Sequence, residues 1–163
     1  MGEVYSVSQT YDVHSRVDTV IYPESPDHPF GLGVTNHYTV DGDLSTVRDL
    51  DTNSLYWRAE VQNAQGQLTQ SELGNGVRTY TGFDSQTGLI NTIETRSSLG
   101  QAGMDNDIQD YQYAFDTLGN LSQRIKRKWV SGVIDTVYTE DSQYDAIGRR
   151  SCASMRYNGL AVH

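Results

Sequence analysis

The chain has 163 residues and a net charge of -9, with 36% hydrophobic residues and a mean hydropathy of -0.57, enough for one domain with a lean core. Eleven tyrosines against three phenylalanines, with 15 glycines, suit half-wet strand surfaces and disfavour helices. The charge disfavours nonspecific binding to nucleic acid or anionic membrane, and the single cysteine, Cys152, rules out an intrachain disulfide or a cysteine-based zinc site.

In chain order, the opening MGEVYSVSQTYDV lacks the basic start and apolar stretch of a signal peptide, and no 18-residue apolar run occurs anywhere. From Tyr11 onward the chain carries one recurring pattern: an aromatic residue, often Asp beside it, a turn former four or five positions past the aromatic, then an apolar or long side chain. This predicts a strand, a tight turn closed by a left-handed residue, and a returning strand. The first copy is YDVHSRV, where Tyr11 and Asp12 precede Ser15 in the glycine place. The connector YPESPDHPFG holds all three prolines, Pro23, Pro26 and Pro29, and His28. YTVDGDL sets Tyr38 ahead of Gly42, and RDLDT at 48–52 predicts a further turn in which Asp caps backbone N–H groups. After LYWRAE, which carries Trp57, QNAQGQL keeps the turn at Gly66 without the aromatic. GNGV at 74–77 leads into FDSQTGL, where Phe83 and Asp84 precede Gly88 at one residue's greater distance.

The clearest copy is YQYAFDTLGNLSQR at 111–124. Tyr111, Tyr113 and Phe115 share one parity and so one strand face, Asp116 opens the turn and Gly119 closes it. Leu121, Ile125 and Trp129 have the parity to bring apolar groups back onto one face of the returning strand. The run RIKRK splits as Arg124, Lys126 and Lys128 against Ile125, Arg127 and Trp129, and reads as a solvated strand face. It is also the candidate polyanion patch, because residues 1–120 carry 17 acids and 5 bases whereas residues 121–163 carry 4 and 7. YDAIGRR supplies Tyr144, Asp145 and Gly148, after which SCASMRYNGLAVH loses the strand pattern. The six anchors, at 11, 38, 62, 83, 115 and 144, stand 27, 24, 21, 32 and 29 residues apart, a spacing that fits repeated hairpins with connectors. The expected fold is all-β: consecutive antiparallel β-hairpin repeats over 1–150 and an irregular tail over 151–163.

Candidate chemistry is sparse. Asp105, Asp107 and Asp110 in DNDIQD have carboxylates for calcium but lack the glycine and closing Glu of an EF-hand loop, and read as a solvated connector. His14, His28, His37 and His163 show no local pairing with a nucleophile, and Cys152 reads as an inert thiol. No cofactor and no metal are expected. Trp57 and Trp129, near Asp and Asn, could anchor a sugar-binding surface, while cross-strand aromatic ladders account for the same residues.

YDVHSRV, GNGVRTYTGFDSQTGLINTI, YQYAFDTLGNLSQR and YDAIGRR resemble the YD repeats of the RHS family, which includes shell components of bacterial toxin complexes, polymorphic toxins and teneurins. The resemblance covers roughly residues 9–150. It implies a curved, twisted sheet of hairpins joined edge to edge, a partial shell around a toxic cargo, with no reaction of its own. It implies partners at the sheet edges, a second copy or neighbouring shell segments, and toxin cargo in a full-length relative. No nucleic acid and no membrane insertion are expected, and the location implied is secreted or cell-surface, within a larger toxin. Nothing past residue 150 resembles the core-associated region that ends the shell in long relatives, so the chain reads as a shell segment without cargo or protease. The alternative is a carbohydrate- or receptor-binding module.

Overall fold

The computed structural model describes residues 5–25, 31–97, 107–130 and 133–159. Among these the chain forms twelve strands and no helix. They are β1 (Ser8–Tyr11), β2 (Val17–Ile21), β3 (Gly33–Tyr38), β4 (Leu44–Asp49), β5 (Leu55–Gln62) and β6 (Leu68–Leu73). The second six are β7 (Arg78–Phe83), β8 (Ile90–Arg96), β9 (Asp107–Phe115), β10 (Leu121–Val130), β11 (Val133–Tyr144) and β12 (Arg150–Gly159). The sheet order is the sequence order, β1 to β12, so each strand neighbours those before and after it in the chain. This is the all-β array of consecutive antiparallel hairpins that the repeats predict. Pro26, His28, Pro29, Asp105 and His163 lie outside the described residues.

Two compact units divide the chain. One comprises Met1–Glu60 with Ser71–Asn75, the other Val61–Gln70 with Gly76–His163. In the first, β3 lies between β2 and β4, with Thr35 opposite both Thr19 and Arg48. Arg58 pairs there with Glu60 at 2.7 Å and with Glu72. Gly74 is required by close approach, since a Cβ on it would stand 1.7 Å from the Leu55 carbonyl oxygen. In the second unit, one cross-strand row runs Ile93, Tyr111, Lys126, Tyr138, Tyr157 from β8 to β12.

Among the described residues no apolar side chain is buried, and the buried side chains are the polar Thr95, Asp110 and Thr136. Cohesion therefore comes from backbone ladders and cross-strand pairs, such as the Thr79 and Thr95 hydroxyls 3.0 Å apart.

Three expectations need correction. The tail is not irregular as far as Gly159: residues 150–159 form β12 against the twelve-residue β11, from Tyr144 opposite Arg150 to Thr136 opposite Gly159. Backbone pairing with a long neighbour orders a segment whose Ser, Cys, Ala and Asn dilute the apolar alternation. Leu121 does not share the facing of Ile125, because a register shift at Ser122 leaves Leu121 opposite Phe115 while Ile125 stands opposite Gln112. Tyr111 and Tyr113 consequently face Lys126 and Arg124. Asp110 is not in a solvated connector but in β9, 8% exposed.

Candidate functional site

Among the described residues the six anchors head six hairpin turns of one design. The turns join β1 to β2 and β3 to β4 in the first unit, and β5 to β6, β7 to β8, β9 to β10 and β11 to β12 in the second. Each opens on Asp12, Thr39, Asn63, Asp84, Asp116 or Asp145, whose N–H donates to the carbonyl of the residue leading into the returning strand. The residue in the glycine place donates back to the carbonyl of the opener, and all twelve bonds measure 2.8 to 3.1 Å. That place demands a left-handed backbone, held by Ser15 (φ 61°), Gly42, Gly66, Gly88, Gly119 and Gly148.

The opener's side chain completes the turn by accepting from orphaned backbone donors. Asp116 Oδ1 accepts from the N–H groups of Leu118 and Asn120, both at 2.9 Å, and Asp12, Asp145 and Asn63 make the same pair of bonds. Asp84, in the longer loop, accepts from Gln86 and Thr87, and Thr39 accepts from Asp43 through its hydroxyl. A residue just past the glycine place then binds the opener's remaining polar atom: Arg16 Nε at 2.7 Å, Asn120 Nδ2 at 3.0 Å and Arg149 Nε at 2.9 Å on the aspartates, and Gln67 Oε1 accepting from Asn63 Nδ2 at 2.8 Å. Sequence reasoning missed this partner, whose signal is an Arg, Asn or Gln directly after the turn former.

These bonds set the acidity of the turns. Asp12, Asp84 and Asp145 are held below the ordinary carboxylate range chiefly by backbone N–H groups of Arg16, Thr87 and Arg149, and Asp116 chiefly by the Asn120 amide. Asp49 was expected only as a turn cap, yet it builds the same longer loop as Asp84. Asn53 (φ 59°) stands in the glycine place, and Asp49 Oδ1 accepts from Asp51 and Thr52. The Tyr56 hydroxyl donates to Asp49 Oδ2 at 2.6 Å and, more than any other cause, brings its pKa down to about 2.

Tyr11, Tyr38, Phe83, Phe115 and Tyr144 each end a strand, and at each of them the register slips by one residue. The extra residue lies on the returning strand and is polar in every case: Asp18, Ser45, Asn91, Ser122 and Ser151. A bulge frees ladder groups, and small polar side chains answer them: the Ser45 hydroxyl donates to the His37 carbonyl at 2.9 Å. Thr69 does the same for Val61 at 3.1 Å.

The tyrosines also join one hairpin to the one before. Tyr38 donates its hydroxyl to the Val17 carbonyl at 2.7 Å, beside the Asn36 amide on the same oxygen, while the Arg16 guanidinium lies 4.2 Å over its ring. Tyr144 donates likewise to the Leu121 carbonyl at 3.0 Å. Val17 and Leu121 occupy the same place, the first strand residue after a turn. Phe83 has no hydroxyl, and there the Gln67 amide donates to the Gly88 carbonyl of the next turn at 2.9 Å.

The two tryptophans are not brought together. Trp57 is half-buried in β5, opposite Val47, and the Trp129 indole N–H donates to Asp110 Oδ2 at 2.8 Å. Arg127 binds the other Asp110 oxygen at 3.1 Å, making a cross-strand clamp between β9 and β10. His14 is exposed in the first turn and Cys152 is exposed on β12. Among the described residues no three His, Cys, Asp or Glu side chains are gathered to hold a metal ion, and no helix is long and apolar enough to cross a membrane.

The fold and site thus define a class: an antiparallel hairpin array whose repeating parts are a capped turn and a tyrosine joint. No family model matches the chain, and no curated protein matches its sequence. Solved structures do match. The chain is similar to the crystal structure of TcdB2-TccC3-Cdc42 at 19% identity and a TM-score of 0.73, over 94% of this chain and 7% of that one. It is similar to TcdB2-TccC3 at 16% identity and a TM-score of 0.65, over 98% of this chain and 10% of that one. A third likeness is to the Photorhabdus luminescens Tc holotoxin pore, at 16% identity and a TM-score of 0.64, over 94% of this chain and 9% of that one. The chain therefore spans a tenth or less of these proteins. The likeness is one of fold, and it is the fold implied by the resemblance to RHS and YD-repeat proteins.

Proposed function

We propose that the chain is a non-catalytic structural segment of an RHS/YD-repeat shell of a bacterial toxin. Its work is steric: a strip of wall that keeps an enclosed polypeptide apart from its surroundings. The observation that carries this reading is the recurrence of one capped turn and one tyrosine joint in a sheet whose described residues bury no apolar side chain, in a fold shared with toxin-complex chains over nearly the whole sequence. Residues whose polar atoms are spent on turns and joints are suited to building, and those same residues are the ones the repeat pattern selects.

The partners that fit are further strands. β12 stands last in the sheet order with all its described side chains exposed, and a ladder edge of ten residues recruits another strand. The proposed location is outside the producing cell, within a larger toxin. Light scattering over a concentration series, paired with amide hydrogen exchange, tests the reading. Association that slows exchange along Arg150–Gly159 is expected. A monomer at high concentration whose β12 exchanges freely would overturn it. No observation favours the glycan-binding reading at Trp129, whose indole N–H is engaged by Asp110.

A further inference from the structure

The second unit carries a trough of about 420 Å³ whose lining includes Tyr111, Lys126, Lys128, Tyr138, Glu140 and Met155. Its volume falls within the range of ligand-binding clefts, roughly 300 to 1,000 Å³. Its charge follows from the pairing around it. Glu140 is shared between Arg124, at 2.7 Å, and Arg150, and these guanidinium groups hold its carboxyl below the ordinary range. Asp135 lies 3.8 Å from the Lys128 ammonium, beyond hydrogen-bond reach, and Lys128 remains 60% exposed. Lys126 makes no ion pair among the described residues, and its ammonium stands 5.9 Å from the Tyr111 ring centroid. Arg124, Lys126, Arg127 and Lys128 line the trough with Glu140; counted with the partners of these groups, Arg150 on Glu140, Asp110 on Arg127 and Asp135 near Lys128, five cations meet three carboxylates and leave two positive charges in excess.

The surplus is bracketed by rings. Lys126 stands between Tyr111 and Tyr138 in register, and the Tyr138 ring lies 5.2 Å from that of Tyr157. On β12, opposite Glu140 and Tyr138, Met155 and Tyr157 are 71% and 63% exposed, an apolar flank two strands from the lysines of β10. Lys126 and Lys128 are alternate residues of β10 and so lie roughly 7 Å apart along one face, the repeat of alternate side chains in an extended peptide.

We propose that this trough binds an extended acidic polypeptide segment, with carboxylates on alternate positions meeting Lys126 and Lys128 and aliphatic side chains against Met155 and Tyr157. A polypeptide fits better than a nucleic acid. A polyanion would meet the field of a chain of net charge -9 and the Glu140 carboxylate within the trough, whereas two or three carboxylates match the surplus and an aliphatic side chain uses the apolar flank. The proposal rests on this face alone and holds whether or not the chain is a shell segment.

The test uses the full chain and three dye-labelled probes: a hexapeptide of alternating Glu and Val, its Gln and Val counterpart, and an oligo-dT of twelve nucleotides. Saturable binding of the Glu–Val peptide is expected, weakened by added salt and by about tenfold or more in a Lys126→Gln, Lys128→Gln double variant. Both lysines are exposed, and a far-UV circular dichroism spectrum identical to the unaltered chain keeps the comparison valid. Should the double variant unfold, Lys126→Gln alone supplies the readout. The proposal fails if the Glu–Val peptide does not bind, if the Gln–Val peptide binds equally, or if oligo-dT binds more tightly than the acidic peptide.

Discussion

At the scale of single residues, the turn-opening aspartates carry the local structure by accepting backbone N–H groups that a tight turn would otherwise leave to water. Because those bonds favour the ionised carboxylate, Asp12, Asp84, Asp116 and Asp145 lie below the ordinary value of 3.8, and Asp49 lies near 2. A carboxyl whose folded pKa is depressed contributes stability that is complete above its unfolded value and is lost as pH falls through the folded one. Stability is therefore expected to be level above about pH 5 and to fall between about pH 4 and 2, as measured by urea denaturation at successive pH values. Asp116→Asn, which keeps an Oδ1 acceptor, should show a shallower acid loss than the parent, and an unchanged acid limb in that variant would count against the turn as its source. The turn residues were legible in sequence because glycine and Asp have few other reasons to recur at that spacing. The Asp49 loop was read only as a capped turn, because Arg48 stands where an aromatic was sought and Asn53 where a glycine was sought.

Between elements the joints matter more than the turns. Tyr144 ties β11 to the start of β10 through one hydroxyl, a bond the ladder does not supply. Tyr144→Phe removes that bond and leaves the ring, so a loss of about 1 kcal/mol is expected in equilibrium denaturation. Loss of cooperativity between the β9–β10 and β11–β12 hairpins should accompany it, read as earlier hydrogen exchange in β11 and β12. No change in either would show the hydroxyl to be equally well served by water. The sequence identified Tyr38 and Tyr144 as anchors without revealing what their hydroxyls reach, because the acceptor is a backbone oxygen. The bulges were hidden for a related reason. Ser122 is ordinary in a strand, and only the register shows that it is the supernumerary residue that turns Leu121 away from Ile125. β12 escaped notice because its order comes from β11 rather than from its own alternation.

For the molecule as a whole, the absence of any buried apolar side chain among the described residues fixes the thermodynamic character of folding. Heat capacity rises on unfolding chiefly through newly exposed apolar surface, so the change per residue should fall below the roughly 12–15 cal/mol/K of ordinary globular domains. Scanning calorimetry measures it directly, and a value within the ordinary range would show that the half-buried apolar side chains lose as much surface on folding as a conventional core does. The strand class and hairpin succession were legible because they rest on patterns local to each repeat. The distribution of charge was legible as a number, but its placement as a trough depended on which strands came to lie side by side.

The tyrosine joint has one more implication. Each tie reaches back only to the hairpin before it, across 21 residues at Tyr38 and 23 at Tyr144. A gene could gain or lose one entire hairpin at such a seam and leave every other seam intact, provided the cut falls at equivalent places in two copies. Copy number is then a heritable variable in its own right, adjustable by unequal recombination between similar stretches of DNA without any change to the residues that make a single hairpin work.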